Sequence, residues 1–135
     1  MPHPPPHLPE EPVSGGEGAR RLGQWGETLV AEDLRRKGWI IVTTNFRCRM
    51  GELDLVAKNE RYLVFVEVKL RKSNRYGAAC EAVTPSKQRK LRAAAEFYLV
   101  RHPSQLQPRF DVAEVYAPQG VHTESPGINY IENAF

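Results

Sequence analysis

GELDLVAKNERYLVFVEVKLR, residues 51–71, is the stretch that decides the fold. Strict alternation over Glu52–Lys58 places Glu52, Asp54 and Val56 on one side of a strand and Leu53, Leu55 and Ala57 on the other. In Tyr62–Arg71, Leu63, Phe65, Glu67 and Lys69 share one side, and Tyr62, Val64, Val66 and Val68 take the opposite one. A tight turn at Asn59-Glu60 pairs Lys58 with Arg61, hence Asp54 with Phe65 and Glu52 with Glu67. Glu52, Asp54, Glu67 and Lys69 then gather on a single face. LVFVEV is almost continuously apolar, as in a strand covered on both sides. Charge embedded in such a strand is costly unless it is paired or holds a metal ion. A slip of one residue would send a whole strand's side chains to the other face, so the shared face rests on the turn.

Outward from this pair the chain reads as alternating helix and strand. Leu22, Trp25, Leu29, Val30 and Leu34 cluster on one side at 100° per residue, predicting a helix over Leu22–Lys37 that ends at Gly38. Trp39–Asn45 is rich in β-branched residues and predicts a strand, with Phe46–Gly51 a loop or its frayed end. Thr84-Pro85 supplies a hydroxyl cap and a proline at the first helical position, starting a second helix that runs to about Arg101. Phe110–Tyr116 is a further strand, and Ile128–Ile131 a short last one. The order α-β-β-β-α-β(-β) predicts an α/β fold, a mixed sheet flanked by helices. Residues 1–17, rich in proline and without an apolar period, read as a disordered tail. Residues 18–117 form the domain, and 118–135 a C-terminal extension.

The 135 residues suffice for one domain. No apolar run approaches the ~20 residues of a membrane span. The N-terminus lacks the basic start and apolar stretch of a secretory signal, so a cytoplasmic address and no membrane partner are expected. Cys48 and Cys80 offer no CxxC or Cys/His ligand spacing, and His3, His7, His102 and His122 lie in tails or at a helix end. A zinc site or a histidine base is therefore not expected. The net charge of +3 understates the bias of the folded part: residues 18–117 hold all 19 basic residues against 11 of the 16 acidic ones. Such an excess suits either a solubilising surface or a polyanion partner.

The acidic strand pair has a chemical use. Carboxylate oxygens, a backbone carbonyl and waters make a hard oxygen site for Mg²⁺ or Mn²⁺. Such an ion lowers the pKa of a bound water and screens the charge that grows on a phosphodiester under attack. Lys69, roughly 7 Å beyond Glu67 along the same face, can reach back to the water or the phosphate. Asp54 and Glu67 are the candidate metal ligands, with the carbonyl of Val68 a third. The plainer alternative is a Glu67–Lys69 or Asp54–Lys69 ion pair at the end of the sheet.

GQWGETLVAEDLRRKGWIIVTTNFR, GELDLVAKN, FVEVKLR, the Lys87 helix and RFDVAEV, taken in order, resemble the YraN-type bacterial proteins. The resemblance covers about residues 18–117 and implies a restriction-endonuclease-like fold akin to Holliday-junction resolvases. It places the family's acidic-strand Asp on Asp54, the Glu and Lys of its ExK strand on Glu67 and Lys69, and the helical Glu on Glu27. No proline precedes Asp54, where many related nucleases have Pro-Asp. Periodicity sets Glu27 within about 20° of Leu34 and about 60° of Val30, at the edge of the inward side, with Gly23 one turn earlier leaving room for close approach. A surface glutamate paired with an arginine is the alternative. Glu52 is open between a further ligand and a partner of Arg47 or Arg49.

Arg47 and Arg49 precede the acidic strand, Arg71 and Lys72 follow the ExK strand with Arg75 and Tyr76 beyond, and Lys87, Gln88 and Lys90 open the second helix. These are the candidate nucleic-acid contacts, to phosphate and independent of sequence. The leading expectation is a Mg²⁺- or Mn²⁺-dependent endonuclease acting on DNA, with branched DNA suggested by the resolvase likeness. The alternative is a nucleic-acid-binding or scaffolding module of the same fold with little or no catalysis. A homodimer fits the symmetric cleavage of two strands.

Overall fold

LVFVEV does run through the middle of a sheet. In the computed structural model, which describes residues 15–72 and 83–135, the chain forms α1 (Gly15–Arg36), β1 (Ile40–Cys48), β2 (Gly51–Lys58), β3 (Tyr62–Arg71), α2 (Pro85–Arg101), β4 (Gln107–Tyr116) and β5 (Gly127–Ile131). Arg75, Tyr76 and Cys80 lie outside the described residues. The five strands follow chain order, β1-β2-β3-β4-β5, with β3 and β4 parallel and the other pairs antiparallel. This is the expected α/β architecture, a mixed sheet with a helix on each face. No helix among the described residues is long and apolar enough to cross a membrane.

Each face of the sheet meets one helix. Val30, Ala31 and Leu34 of α1 pack on Leu55, Ala57, Val64, Val66, Ala113 and Val115. Leu91, Ala94, Ala95 and Tyr98 of α2 pack on Val56, Leu63, Phe65 and Val112. Burial on both sides is why β3 is apolar at successive positions instead of every second one. Thr84 caps α2 as expected, its hydroxyl oxygen accepting from the Lys87 N–H at 3.1 Å. Gly38, at φ +97, lets the Trp39 N–H turn back to the Leu34 carbonyl and close α1.

Four expectations are corrected. α1 begins at Gly15, not Leu22, and β1 continues through Phe46–Cys48 instead of fraying into a loop, because Phe46, Arg47 and Cys48 pair with Leu53, Glu52 and Gly51. The β2–β3 turn is wider than Asn59-Glu60: the Asn59 side chain accepts from the N–H groups of Arg61 and Tyr62, and Lys58 pairs with Leu63 instead of Arg61. This moves the register by two residues, which preserves which side chains share a face. Strict alternation in β2 also fails. Leu53 packs with Val56 beneath α2, whereas Leu55 packs beneath α1. The same reversal occurs across the pair in β1, where Thr44 faces Leu55 and Phe46 faces Leu53. Between them stands Asn45 at φ +53, left-handed backbone that asparagine tolerates better than most residues. One kink, at Asn45 and Asp54, therefore turns both strands over.

Candidate active site

The sheet forks at this kink. β2 and β3 are in register only from Lys58↔Leu63 to Leu55↔Val66. Beyond that point β2 stays with β1, while β3 stays with β4 through Arg71↔Tyr116. The first unpaired positions across the gap are Asp54 and Glu67. Asp54 partly bridges them: its Oδ2 accepts from the Val68 N–H at 2.9 Å, taking the place of a ladder hydrogen bond. Behind the two carboxyls lies a narrow cavity walled by Leu53, Phe65, Leu91, Phe110 and Phe135.

The overturned strand decides who reaches the gap. Glu52 leaves the face it was expected to share with Asp54 and Glu67, and its carboxylate accepts from Arg47 Nε at 2.7 Å, both side chains substantially exposed. Of the two roles open to Glu52, the pairing with Arg47 is the one seen in this structure. Asp54 stands at the turning point, with Glu67 on one side and Glu27 of α1 on the other, and their charges act on it. Glu27 is half-buried beside the Asn45 amide and Asp54, and its Oε1 is buried without a hydrogen-bond partner. Such an orphaned acceptor is rare, since its desolvation goes uncompensated.

Glu67 is 5% exposed and sits between two lysines, Lys69 at 3.5 Å and Lys87 at 3.0 Å, both on Oε2. Burial first, then the charges of Glu67 and Glu27, push the Asp54 carboxyl up to about 8 against the lowering effect of the Val68 N–H. Burial also raises Glu27, helped by Glu52 and Glu67 and opposed by Asn45 and Asp54. Burial works against the charged form of Lys87, but Glu67, Asp54 and Glu52 outweigh it and raise this ammonium. A carboxyl held protonated near neutrality by burial and by neighbouring carboxylates, as at Asp54, is the pattern expected of a functional site.

The expected residues are thus partly assembled. Glu27, Asp54, Glu67 and Lys69 converge, and Lys87 joins them instead of pointing only to solvent. Among the described residues no group of three His, Cys, Asp or Glu side chains is arranged to hold a metal ion. Of the candidate nucleic-acid contacts, Arg49, Lys72 and Lys90 are exposed, flanking the fork. Arg47 is engaged with Glu52, and Arg71 donates from Nε to buried Glu114 at 3.0 Å. Gln88 donates to the Val83 carbonyl at 2.9 Å, a helix-docking contact. Asn45 was not a candidate from sequence. The only sign of it is an asparagine inside a β-branched run, and its left-handed φ is visible only once β1 is paired.

Gly26, not Gly23, is where α1 comes close. A Cβ at Gly23 would meet nothing within 4 Å, whereas at Gly26 it would stand 3.2 Å from Leu70 Cδ2 and 3.5 Å from Val68 Cγ1. The glycine lets α1 settle against the ExK strand and brings neighbouring Glu27 to the gap. Gly26→Val is expected to lower unfolding free energy by about 1–3 kcal/mol through overpacking. Urea denaturation checks this, and an unchanged midpoint would show that the approach is not tight.

The geometry can be set beside known proteins. Residues 26–115 match the family described as "Uncharacterised protein family UPF0102". A UPF0102 protein of Caldicellulosiruptor saccharolyticus is 44% identical over 117 residues, covering 86% of this chain and 98% of the relative. One from Symbiobacterium thermophilum is 50% identical over 98 residues, covering 72% and 83%. One from Syntrophotalea carbinolica is 50% identical over 95 residues, covering 70% and 77%. The matched span contains Glu27, Asn45, Asp54, Glu67, Lys69 and Lys87. The chain belongs to the UPF0102 family of YraN-type proteins.

Proposed function

We propose that this protein is a Mg²⁺- or Mn²⁺-dependent phosphodiesterase that cuts nucleic acid, acting as an endonuclease on DNA, with branched DNA as the favoured substrate form. The observation that carries this is the fork: the sheet gives up its ladder where two strands and a helix converge three acidic side chains and two lysines. A purely structural ion pair gives no reason for an orphaned buried Glu27 oxygen or for Asp54 held protonated near neutrality. The donor set of carboxylates suits a hard divalent cation, and the unsatisfied oxygen is what such an ion would satisfy. Asp54, Glu67 and Glu27 would hold it, with the Val68 carbonyl as a fourth donor.

The bound ion would supply a water acidified toward neutrality and a positive charge beside the scissile phosphate. The chain's own residues do the rest. Asp54 gives up the proton it favours in the ion-free state, so ion binding releases a proton. Lys69, anchored on the strand and 27% exposed, donates to a phosphate oxygen as negative charge grows there. Arg49, Lys72 and Lys90 contact backbone phosphates on either side.

The presence of both lysines on Glu67 favours a second reading, a binding module in which those cations already neutralise the carboxylate. Labelled four-way junction, duplex and single-stranded DNA incubated with Mg²⁺, Mn²⁺ or EDTA separates the two. Cleavage that needs the ion and is lost in Asp54→Ala and Glu67→Ala is expected. Binding without cutting in every case, with the same affinity in wild type and variants, would instead establish the module.

A further inference from the structure

Two cations share one buried oxygen, and they arrive by different routes. Lys69 reaches Glu67 Oε2 along its own strand, whereas Lys87 comes from the first turn of α2 and lies closer, 3.0 Å against 3.5 Å. Lys87 is there because α2 is fixed over the fork. Its own N–H is capped by Thr84, neighbouring Gln88 holds the Val83 carbonyl, and Val83 is 2% exposed. One turn on, the Lys90 backbone lies against Gly51 of β2, where a Cβ would stand 3.5 Å from the Lys90 carbonyl oxygen. The backbone is held while the long side chain remains 44% exposed.

We propose that Lys87 is a tethered counter-cation: it occupies Glu67 while the carboxylate site lacks its divalent ion, and leaves to pair with a nucleic-acid phosphate once the ion enters. This rests on the metal-site reading above. An ammonium and a divalent ion on one carboxylate oxygen repel each other, so each weakens the other's hold. A lysine can withdraw by side-chain rotation alone, since its stem is flexible and its charge compact. The released ammonium stands in the first turn of a 17-residue helix, whose dipole favours an anion. Lys87 is a positioning residue in this scheme, linking ion entry to the grip on substrate.

The test is titration calorimetry with Mn²⁺ on the full chain, in wild type, Lys87→Met, Lys87→Gln and Arg89→Met, with folding verified by circular dichroism. Both Lys87 variants should bind Mn²⁺ about tenfold more tightly than wild type. Arg89→Met, which removes the same charge from the same helix, should stay within about twofold. In the presence of Mn²⁺ the Lys87 variants should bind labelled duplex DNA about threefold to tenfold more weakly, as loss of one phosphate contact predicts. A lysine that merely supported the fold would weaken both, not move them in opposite directions. If wild type binds Mn²⁺ and the Lys87 variants bind it no tighter, the counter-cation role is overturned and the metal site stands. If no folded variant and no wild-type protein takes up Mn²⁺, the metal site itself fails and this proposal with it.

Discussion

Methionine in place of Lys69 is expected to slow metal-dependent phosphodiester cleavage by about 10²–10³-fold, the usual cost of deleting one donor aimed at developing transition-state charge. The side chain keeps its length and apolar stem, so the strand loses only an ammonium. Glu67 is not left as an uncompensated buried charge, because Lys87 still stands 3.0 Å from the same oxygen. Unfolding free energy should therefore change by no more than about 1 kcal/mol, as for a partly exposed pair. Single-turnover cleavage at saturating Mg²⁺ measures the first quantity and urea denaturation the second. Activity within about threefold of wild type would remove Lys69 from the chemistry. A loss of rate accompanied by a collapse in stability would assign it to the fold instead.

Asparagine at position 54 is expected to do something less usual: abolish cleavage while raising the melting temperature of the ion-free protein at alkaline pH. The Asp54 carboxyl, ordinarily near 3.8, is pushed up to about 8 by burial and by Glu67 and Glu27. Its folded pKa lies above the unfolded one, so the folded state holds the proton more tightly. The stability this provides is fully present below about pH 4 and is lost as pH rises through about 8. Asparagine resembles the protonated carboxyl in shape and charge. Its carbonyl can still accept from the Val68 N–H, and its amide can donate toward Glu67. At pH 8 in EDTA the variant should gain on the order of 2 kcal/mol, several degrees in Tm, with the gain shrinking toward pH 5. Scanning calorimetry at the two pH values checks this, and equal or lower stability at pH 8 would refute the strained, ion-free carboxylate cluster. Such a trade of stability for chemistry is common at sites built to bind something else.

Much of this was legible along the chain. The apolar run of β3, the Thr84-Pro85 helix start and Gly38 each carry a local cause, and each element formed where that cause put it. Even the misjudged β2–β3 turn did little harm. An error of two residues leaves side-chain parity intact, so Asp54, Glu67 and Lys69 still met. Alternation failed where a long-range event intervened: the kink at Asn45 exists only because β1 and β2 pair, and it turned Glu52 away toward Arg47.

The sequence by itself determined the element order, the two-sided burial of β3 and the carriage of Asp54, Glu67 and Lys69 toward one place, because periodicity and capping are local physics. Tertiary structure alone decided that the sheet forks beyond Leu55 and Val66, that Gly26 rather than Gly23 lets α1 bring Glu27 to the gap, and that Lys87 crosses to Glu67. Those outcomes depend on distances between residues far apart in the chain. They are set by how two helices settle on opposite faces of one kinked sheet, which no short-range pattern encodes.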